Sequence, residues 1–281
     1  MHSVKLGLIQ MRHGKDVKAN FAAAKEKIFE AARLGAQIVS LSELFSSLYF
    51  CQSEEEKNFG LAETIPGPST QTLCEWAKEL GIVLVASLYE EAEGGRFNTA
   101  VVMDADGKFA GKYRKVHIPD DPEHFYGERY YFADGDLGFP VFKTRFGTIG
   151  VQICWDQWYP EGARMMAAQG AQIIFYPTAI GFQIKGDKSL NQAEHEAWQI
   201  IQRSHAIANN VFVAACNRVG VEENLNFWGT SFVADPLGRF VAKASVEKEE
   251  ILLADCDLRL IDEVRRDWPF LACRKTTVIA K

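Results

Sequence analysis

The chain has 281 residues, of which 47% are hydrophobic and 24% are charged, a composition typical of a soluble globular protein with a real core. Its net charge of −6 argues against nucleic-acid binding, because a phosphate backbone requires a basic face. No apolar run approaches the length that spans a bilayer, and a strand-like segment begins at Val4, so we expect neither a membrane anchor nor a signal peptide.

One pattern of predicted elements occurs twice along the chain. Helical stretches at 20–33 and 160–168 are each followed by the segment Gly-Ala-Gln-Ile, which opens an apolar strand. The glycine after each helix is expected to form a left-handed cap. A further pair of apolar strands begins near Gly81 and Asn210, and a hairpin follows in each copy, with the turn sequences Asp-Ala-Asp-Gly and Asp-Pro-Leu-Gly.

The repeat predicts the fold class. Near-continuous apolar strands indicate that both faces of each sheet are covered. Two related half-sheets with helices outside them predict an α/β protein, a four-layer αββα sandwich with two pseudo-symmetric halves. Each half needs the other to bury its inner face, so we predict a single domain over residues 1–281. The tail from about 258 to 281 is less regular, and we expect it to be an arm used in oligomer packing.

The six cysteines are scattered, with no Cys-x-x-Cys pair and no histidine spacing suited to zinc. This distribution is typical of free thiols in a reducing cytoplasm, so we expect a cytoplasmic protein without a metal site. Five of them are interpreted as small buried hydrophobic residues. The sixth, Cys154, has neighbours that indicate chemistry.

Three reactive side chains stand on short distinctive segments. Glu43 closes the run Ile-Val-Ser-Leu-Ser-Glu, at the carboxyl end of a predicted strand, where ligands of α/β sheets gather. Lys115 lies on the far arm of the first hairpin, in Lys-Tyr-Arg-Lys-Val-His-Ile-Pro. Cys154 ends Ile-Gly-Val-Gln-Ile-Cys just before a helix that starts near Pro160, so backbone N–H dipoles can stabilise its thiolate. A base, a cation and a thiol are the parts of acyl transfer through a thioester.

Taken singly, these residues also fit ordinary roles: a core cysteine, a surface acid and a solvated lysine. Together, their segments resemble the nitrilase superfamily of carbon–nitrogen hydrolases, whose triad is Glu-Lys-Cys. The resemblance implies the αββα fold, at least a homodimer, Glu43 as general base and Lys115 as oxyanion holder, assisted by the backbone N–H of Trp155. It also implies a second glutamate that orients the lysine, for which we choose Glu128, with Glu123 as the alternative. This chemistry requires no metal or organic cofactor.

Longer runs resemble one branch of that superfamily, the N-carbamoylputrescine amidases. They include Ile-Cys-Trp-Asp-Gln-Trp-Tyr-Pro-Glu around the nucleophile and Tyr-Pro-Thr-Ala-Ile-Gly from Tyr176. The resemblance implies hydrolysis of N-carbamoylputrescine to putrescine, carbon dioxide and ammonia, a step of polyamine biosynthesis. The loop 121–128 replaces a shorter segment of the family, so it leaves the exact amine open.

Residues near the nucleophile bear on the substrate. Enzymes for carbamoyl D-amino acids carry arginines after the cysteine that can clamp a carboxylate, whereas this chain has Asp-Gln-Trp-Tyr there. We therefore expect a carbamoyl amine or amide, with Asp120, Asp121 and Glu194 as candidates to receive an ammonium group. Trp155 is a candidate pocket wall. The same residues also fit a solvated loop, a surface helix and a core aromatic.

Three other functions stay open from the sequence. Another amidohydrolase of the same fold, such as a β-ureidopropionase or a short aliphatic amidase, would differ in its preference for carboxylate over amine. A scaffold that binds an amide without turnover is the second, and the intact triad argues against it. The third is a redox role for Cys154, although no resolving cysteine stands beside it in the sequence.

Overall fold

The computed structural model describes residues 2–275, which form two six-stranded sheets with helices packed outside them, one three-stranded sheet and one two-stranded sheet. The strands are β1 (Ser3–Gln10), β2 (Ile38–Ser40), β3 (Val83–Ala92), β4 (Gly95–Met103), β5 (Phe109–Arg114), β6 (Asp120–Asp121), β7 (Tyr126–Gly127), β8 (Val141–Thr144), β9 (Gly147–Val151), β10 (Ile173–Thr178), β11 (Gly181–Gln183), β12 (Phe212–Asn217), β13 (Val219–Glu222), β14 (Leu225–Trp228), β15 (Phe232–Ala234), β16 (Phe240–Lys243) and β17 (Glu250–Asp257). The helices are α1 (Val17–Arg33), α2 (Pro68–Leu80), α3 (Pro160–Ala168), α4 (Lys188–Asn209) and α5 (Arg259–Asp267).

The two large sheets share one topology. The first has the order β17-β1-β2-β3-β4-β5 and the second the order β16-β15-β12-β10-β9-β8. In each, three parallel strands joined by helices lead into an antiparallel hairpin: β1, β2 and β3 before β4–β5, and β9, β10 and β12 before β15–β16. The strands that match in the sequence repeat therefore occupy matching places, and the predicted α/β fold is confirmed.

The apolar faces of the strands build two cores. Alternate residues of the first sheet pack with residues of the second sheet and of α3 and α4 into one cluster, while the outer face of the first sheet packs against α1 and α2. The thiol of Cys216, on the second sheet, lies 3.4 Å from the carbonyl oxygen of Ile9 and 3.3 Å from that of Ser40, both in the first half of the chain. The layers therefore follow the predicted order of helix, sheet, sheet and helix.

The ends of the helices show local sequence control. Gly35 and Gly170, which follow α1 and α3, have φ values of +91° and +96°, in the left-handed region expected of them. The helix α5, where Ile261 and Val264 are buried on one face, is not among the elements predicted from the sequence. Residues 276–281 of the predicted arm lie outside the described residues, and the role of the arm in packing stays a prediction. Among residues 2–275, no helix is long and apolar enough to cross a membrane.

Candidate active site

The carboxyl ends of the parallel strands bring the reactive residues together. Glu43 follows β2, and Cys154 follows β9. The backbone N–H of Glu43 lies 3.4 Å from the carbonyl oxygen of Thr178, at the end of β10, so the two sheets meet here. Lys115 follows β5, and its N–H donates to the carbonyl oxygen of Asn98 at 2.8 Å. Three residues that are far apart in sequence thus converge on the seam between the halves.

A buried ion cluster forms the centre of the site. The ammonium nitrogen Nζ of Lys115 lies 2.8 Å from Oε1 of Glu43, and 2.9 and 2.7 Å from the two carboxylate oxygens of Glu128. All three side chains are buried. Burial alone would lower the pKa of Lys115, but the Glu128 and Glu43 carboxylates outweigh it and hold the pKa well above its ordinary value. Lys115 is therefore a permanent cation within the cluster.

Neighbouring polar groups orient the Glu43 carboxylate. The side-chain amide of Asn98 donates to Oε1 of Glu43 at 2.7 Å, and the Ser87 hydroxyl donates to the Asn98 oxygen at 3.0 Å. The same hydroxyl accepts from the backbone N–H of Leu44 at 3.0 Å, which closes the network around the Glu43 turn. Among residues 2–275, the second oxygen Oε2 of Glu43 is buried without a hydrogen-bond partner. Glu43 therefore keeps one oxygen available to accept a proton.

Glu128 has its own support. The hydroxyl of Tyr49 donates to Oε1 of Glu128 at 2.7 Å. Burial raises the pKa of Glu128, and the neighbouring Glu43 carboxylate acts in the same direction, while Lys115 opposes both. Glu123, the alternative second glutamate, is exposed on the loop before β7. The structure thus places Glu128 against the lysine and leaves Glu123 at the surface.

Cys154 stands at the first position of a single 3-10 turn, Cys154–Trp158. Its φ of +44° is unusual for a residue with a side chain and costs about 1–3 kcal/mol. Burial raises the pKa of the Cys154 thiol, the Glu43 carboxylate raises it further, and the Lys115 ammonium opposes them. Burial and the Glu43 carboxylate therefore disfavour the thiolate form of Cys154.

An arginine that the sequence analysis missed holds the backbone of this site. The buried guanidinium of Arg218 donates to the carbonyl oxygens of Glu43 at 2.6 Å and Leu44 at 3.1 Å. It also pairs with Glu222 at 2.8 Å, and Glu222 accepts from the backbone N–H of Tyr49 at 2.6 Å. The available signal was a charged residue directly after the apolar strand β12, at its carboxyl end.

A narrow cavity of about 110 Å³ lies beside the triad. Its lining residues are Asp121, His124, Tyr126, Trp155, Trp158, Ile180, Gln183 and Glu194. Burial raises the pKa of the Tyr126 hydroxyl, and the charges of Cys154 and Glu194 add to that shift. Tyr126, on the cavity wall, is therefore under the influence of both Cys154 and Glu194. The volume of the cavity is far below the roughly 300–1,000 Å³ of sites for drug-sized ligands, which suits a small linear substrate.

Acidic groups form part of the cavity wall. The ring nitrogen Nδ1 of His124 lies 2.9 and 2.8 Å from the two oxygens of Asp121, and this contact raises the pKa of His124. Burial raises the pKa of Glu194, Asp121 adds to the shift, and His124 opposes it. The carboxylates of Asp121 and Glu194 outnumber the single imidazole of His124, so this part of the wall carries a net negative charge even when His124 is protonated. The cavity wall therefore favours a cation.

Three of the four candidate substrate-binding residues lie on the cavity wall, and one does not. Asp121, Glu194 and Trp155 lie on the cavity wall, as a substrate-binding role requires. Asp120 is exposed on β6 and is not one of the lining residues, because β6 pairs with β7 and successive residues of a strand point to opposite faces. In the described part of the chain, no group of three or more histidine, cysteine, aspartate or glutamate residues is arranged to hold a metal ion.

An αββα sandwich that carries a buried glutamate, lysine and cysteine at its seam is the arrangement expected of a hydrolase of carbon–nitrogen bonds. The sequence profile of carbon-nitrogen hydrolases matches residues 5–266, and the chain belongs to that family, within the nitrilase superfamily. The predicted family and the predicted amide-hydrolase class are thereby confirmed.

Known proteins of this family are similar over nearly the whole chain. The N-carbamoylputrescine amidase of Arabidopsis thaliana is 43% identical over 274 residues, which cover 94% of this chain and 90% of the relative. The citrullinase of Francisella tularensis is 38% identical, with 98% of this chain and 96% of the relative covered. The crystal structure of a carbon-nitrogen hydrolase from Helicobacter pylori G27 has a TM-score of 0.94 at 42% identity, over 98% of this chain and 97% of that chain.

Proposed function

We propose that the protein hydrolyses N-carbamoylputrescine to putrescine, carbon dioxide and ammonia through a thioester at Cys154. The observation that carries the proposal is the pair of carboxylates, Asp121 and Glu194, on the wall of a small cavity that also includes Trp155, the residue after Cys154. N-carbamoylputrescine has a ureido group at one end and an ammonium group at the other, so the ureido group suits Cys154 and the ammonium group suits the two carboxylates. The similarity to N-carbamoylputrescine amidases supports the same substrate.

The first half of the reaction forms the thioester. Oε2 of Glu43 accepts the thiol proton while the sulfur of Cys154 attacks the ureido carbon. The oxyanion that develops is stabilised by the Lys115 ammonium and by the backbone N–H of Trp155, and such preorganised donors contribute about 3–4 kcal/mol each in acyl transfer. The bond to the terminal nitrogen then breaks, Glu43 returns its proton to that nitrogen, and ammonia leaves.

The second half releases the amine. Glu43 takes a proton from a water molecule, which attacks the thioester carbon, and the carbon–sulfur bond breaks as Cys154 regains a proton. The product is a carbamate, which loses carbon dioxide to give putrescine. Glu128 takes no part in proton transfer, but it holds the lysine in place through both of its oxygens. One carboxylate thus acts as the base and the other as the lysine's support.

A citrulline-type substrate is the second candidate, since it has the same ureido group and a citrullinase is 38% identical to the chain. Its distal end carries a carboxylate as well as an ammonium group. In the cavity, the single imidazole of His124 already contacts Asp121, and Glu194 adds another negative charge. The carboxylate of citrulline would be repelled by Asp121 and Glu194, so the wall favours the simple amine.

The test is ammonia release from four substrates, with Cys154→Ala as the blank. They are N-carbamoylputrescine, N-pentylurea (which has a methyl group in place of the ammonium), L-citrulline and N-carbamoyl-β-alanine. A charged hydrogen bond contributes about 1.5–3 kcal/mol, so we expect kcat/KM for N-carbamoylputrescine to exceed that for N-pentylurea by about 10- to 100-fold. Equal rates for these two, or a preference for either carboxylate-bearing substrate, would contradict the proposal.

A further inference from the structure

The carboxylate of Asp156 accepts hydrogen bonds from four donors inside the protein. Its oxygen Oδ2 accepts from the backbone N–H of Ile153 at 3.0 Å and from the hydroxyl of Tyr113 at 2.7 Å. The other oxygen, Oδ1, accepts from the backbone N–H of His117 at 3.0 Å and lies 2.8 Å from the ring nitrogen Nδ1 of the same residue. A carboxylate only accepts, so Nδ1 is the donor. Asp156 is fully buried, and its charge is met entirely by these groups.

The donors to Asp156 lie next to Lys115 and Cys154 in the sequence. Tyr113 and His117 stand two residues before and two residues after Lys115, while Ile153 directly precedes Cys154. Asp156 itself lies two residues after the nucleophile, in the same 3-10 turn. One carboxylate thus joins both flanks of the lysine to both flanks of the cysteine.

Two further contacts stiffen this connection. The hydroxyl of Tyr113 also accepts from the backbone N–H of Val116 at 3.2 Å, which closes the chain around Lys115. The ring of His117 stacks on Tyr159, with ring centres 3.7 Å apart and planes within 5°. His117 therefore contacts both Asp156, in the middle of the turn, and Tyr159, the residue that follows the turn.

We propose that Asp156 is a positioning residue that fixes the Cys154 thiol relative to the Lys115 ammonium. This inference rests on the triad chemistry proposed above, but not on which amide is the substrate. Cys154 has a strained backbone, and the bond from Ile153 to Asp156 closes the turn across it. The oxyanion forms on the carbon that the sulfur attacks. It therefore lies near Nζ of Lys115 only if the sulfur of Cys154 and this nitrogen keep the correct distance and direction from each other. A displacement of about 1 Å in such a site costs on the order of 100-fold in rate.

The test compares Asp156→Asn with wild-type enzyme in three measurements: kcat and KM for ammonia release, the rate of Cys154 alkylation by iodoacetamide, and Tm. Asparagine keeps the shape but presents an N–H₂ group to two of the donors. We expect kcat to fall by roughly 10- to 100-fold, with KM within about threefold of the wild-type value. Alkylation should fall by much less than kcat, because it forms no oxyanion for Lys115 to stabilise.

The matched control is Asp235→Asn. Asp235 is a buried aspartate in the turn between β15 and β16 that accepts from the backbone N–H groups of Leu237 and Arg239, each at 2.9 Å. None of its partners belongs to the triad, so this variant should lose stability with kcat unchanged. If Asp156→Asn behaves in the same way, with a lower Tm and an unaltered kcat, the inference is wrong.

Tyr113→Phe provides a second variant that keeps the carboxylate and removes one donor. We expect its kcat to fall by a smaller factor, roughly 3- to 10-fold, since one of the four contacts is lost. In the double variant with Asp156→Asn, the tyrosine change should have no further effect on kcat, because both changes break one connection. Independent, multiplicative losses would overturn the inference. A wild-type enzyme that released no ammonia from any amide would instead refute the proposed function.

Discussion

Glu194 is the residue on which the amine specificity can be tested most directly. It lines the cavity near Asp121 and His124, and it is half-buried on α4. Glu194→Gln removes the negative charge and keeps the size of the side chain. Two unit charges about 4 Å apart interact by about 4 kcal/mol at an effective dielectric constant near 20, which is an upper figure for a site partly open to water. Charged hydrogen bonds measured by mutation contribute about 1.5–3 kcal/mol.

A loss of that size corresponds to an increase of about 10- to 100-fold in KM for N-carbamoylputrescine. The value of kcat should be unchanged, since the triad is not touched. The assay is ammonia release over a range of concentrations of N-carbamoylputrescine and of N-pentylurea, which has no charge at its far end. For N-pentylurea, KM should stay the same or decrease, because the glutamate charge has no partner in that complex.

Glu196→Gln is the matched control for this experiment. Glu196 is exposed two residues further along α4, where it accepts a hydrogen bond from Gln192 at 3.1 Å, and it does not line the cavity. Its KM values should equal those of the wild-type enzyme. Equal increases for both substrates in Glu194→Gln would mean that the residue acts through shape. An unchanged KM for N-carbamoylputrescine would show that the ammonium group lies elsewhere, and the reasoning from cavity charge would be refuted.

Three further predictions follow from the charges of the site. KM for N-carbamoylputrescine should fall as pH rises through the pKa of His124, because loss of the imidazolium charge leaves the cavity more negative. Asp121 holds this pKa above its usual value. His124→Asn should abolish the change in KM around neutral pH, which a series of KM measurements at different pH values would show. Glu128→Gln should lower kcat by roughly 100- to 1,000-fold with little change in KM, and a kcat near the wild-type value would show that Lys115 needs no second carboxylate. Arg218→Met should lower the free energy of unfolding by about 3–5 kcal/mol in denaturant titrations, because it leaves a buried glutamate without its ion partner, whereas the same change at the exposed Arg259 should have almost no effect.

The features that the sequence predicted correctly depend on local pattern. The repeated order of strands and helices is visible because each element has its own apolar period and its own end signals, such as the glycines after α1 and α3. The three residues of the proposed triad could be singled out because each stands in a distinctive short segment at the end of a strand or hairpin, and their catalytic roles stay a prediction. These signals need no knowledge of how distant parts of the chain meet.

The supporting residues could not be predicted in the same way, because their roles depend on the tertiary fold. Asn98 is an ordinary polar residue within β4 until the sheet places its amide 2.7 Å from Glu43. Tyr49 and Arg218 are likewise defined by partners that lie 79 and 175 residues away. The helix α5 was not predicted for a related reason. Its buried face is short, and it can be recognised only when the part of the protein that covers it is known.

The position of the site at the seam between the two sheets explains why so many of its supports are long-range. Glu43 and Lys115 come from the first half of the repeat and Cys154 from the second, so neither half contains a complete triad. Arg218, from the second half, holds the carbonyl oxygen of Glu43, and Asp156, also from the second half, holds both flanks of Lys115. Each proposed catalytic group of the first half thus contacts, directly or through its neighbours, a buried charged side chain of the second. Because these contacts cross the seam, the proposed mechanism predicts that a shift of one sheet against the other would move Glu43 and Lys115 away from the sulfur of Cys154, so activity should depend on the packing between the sheets as directly as stability does.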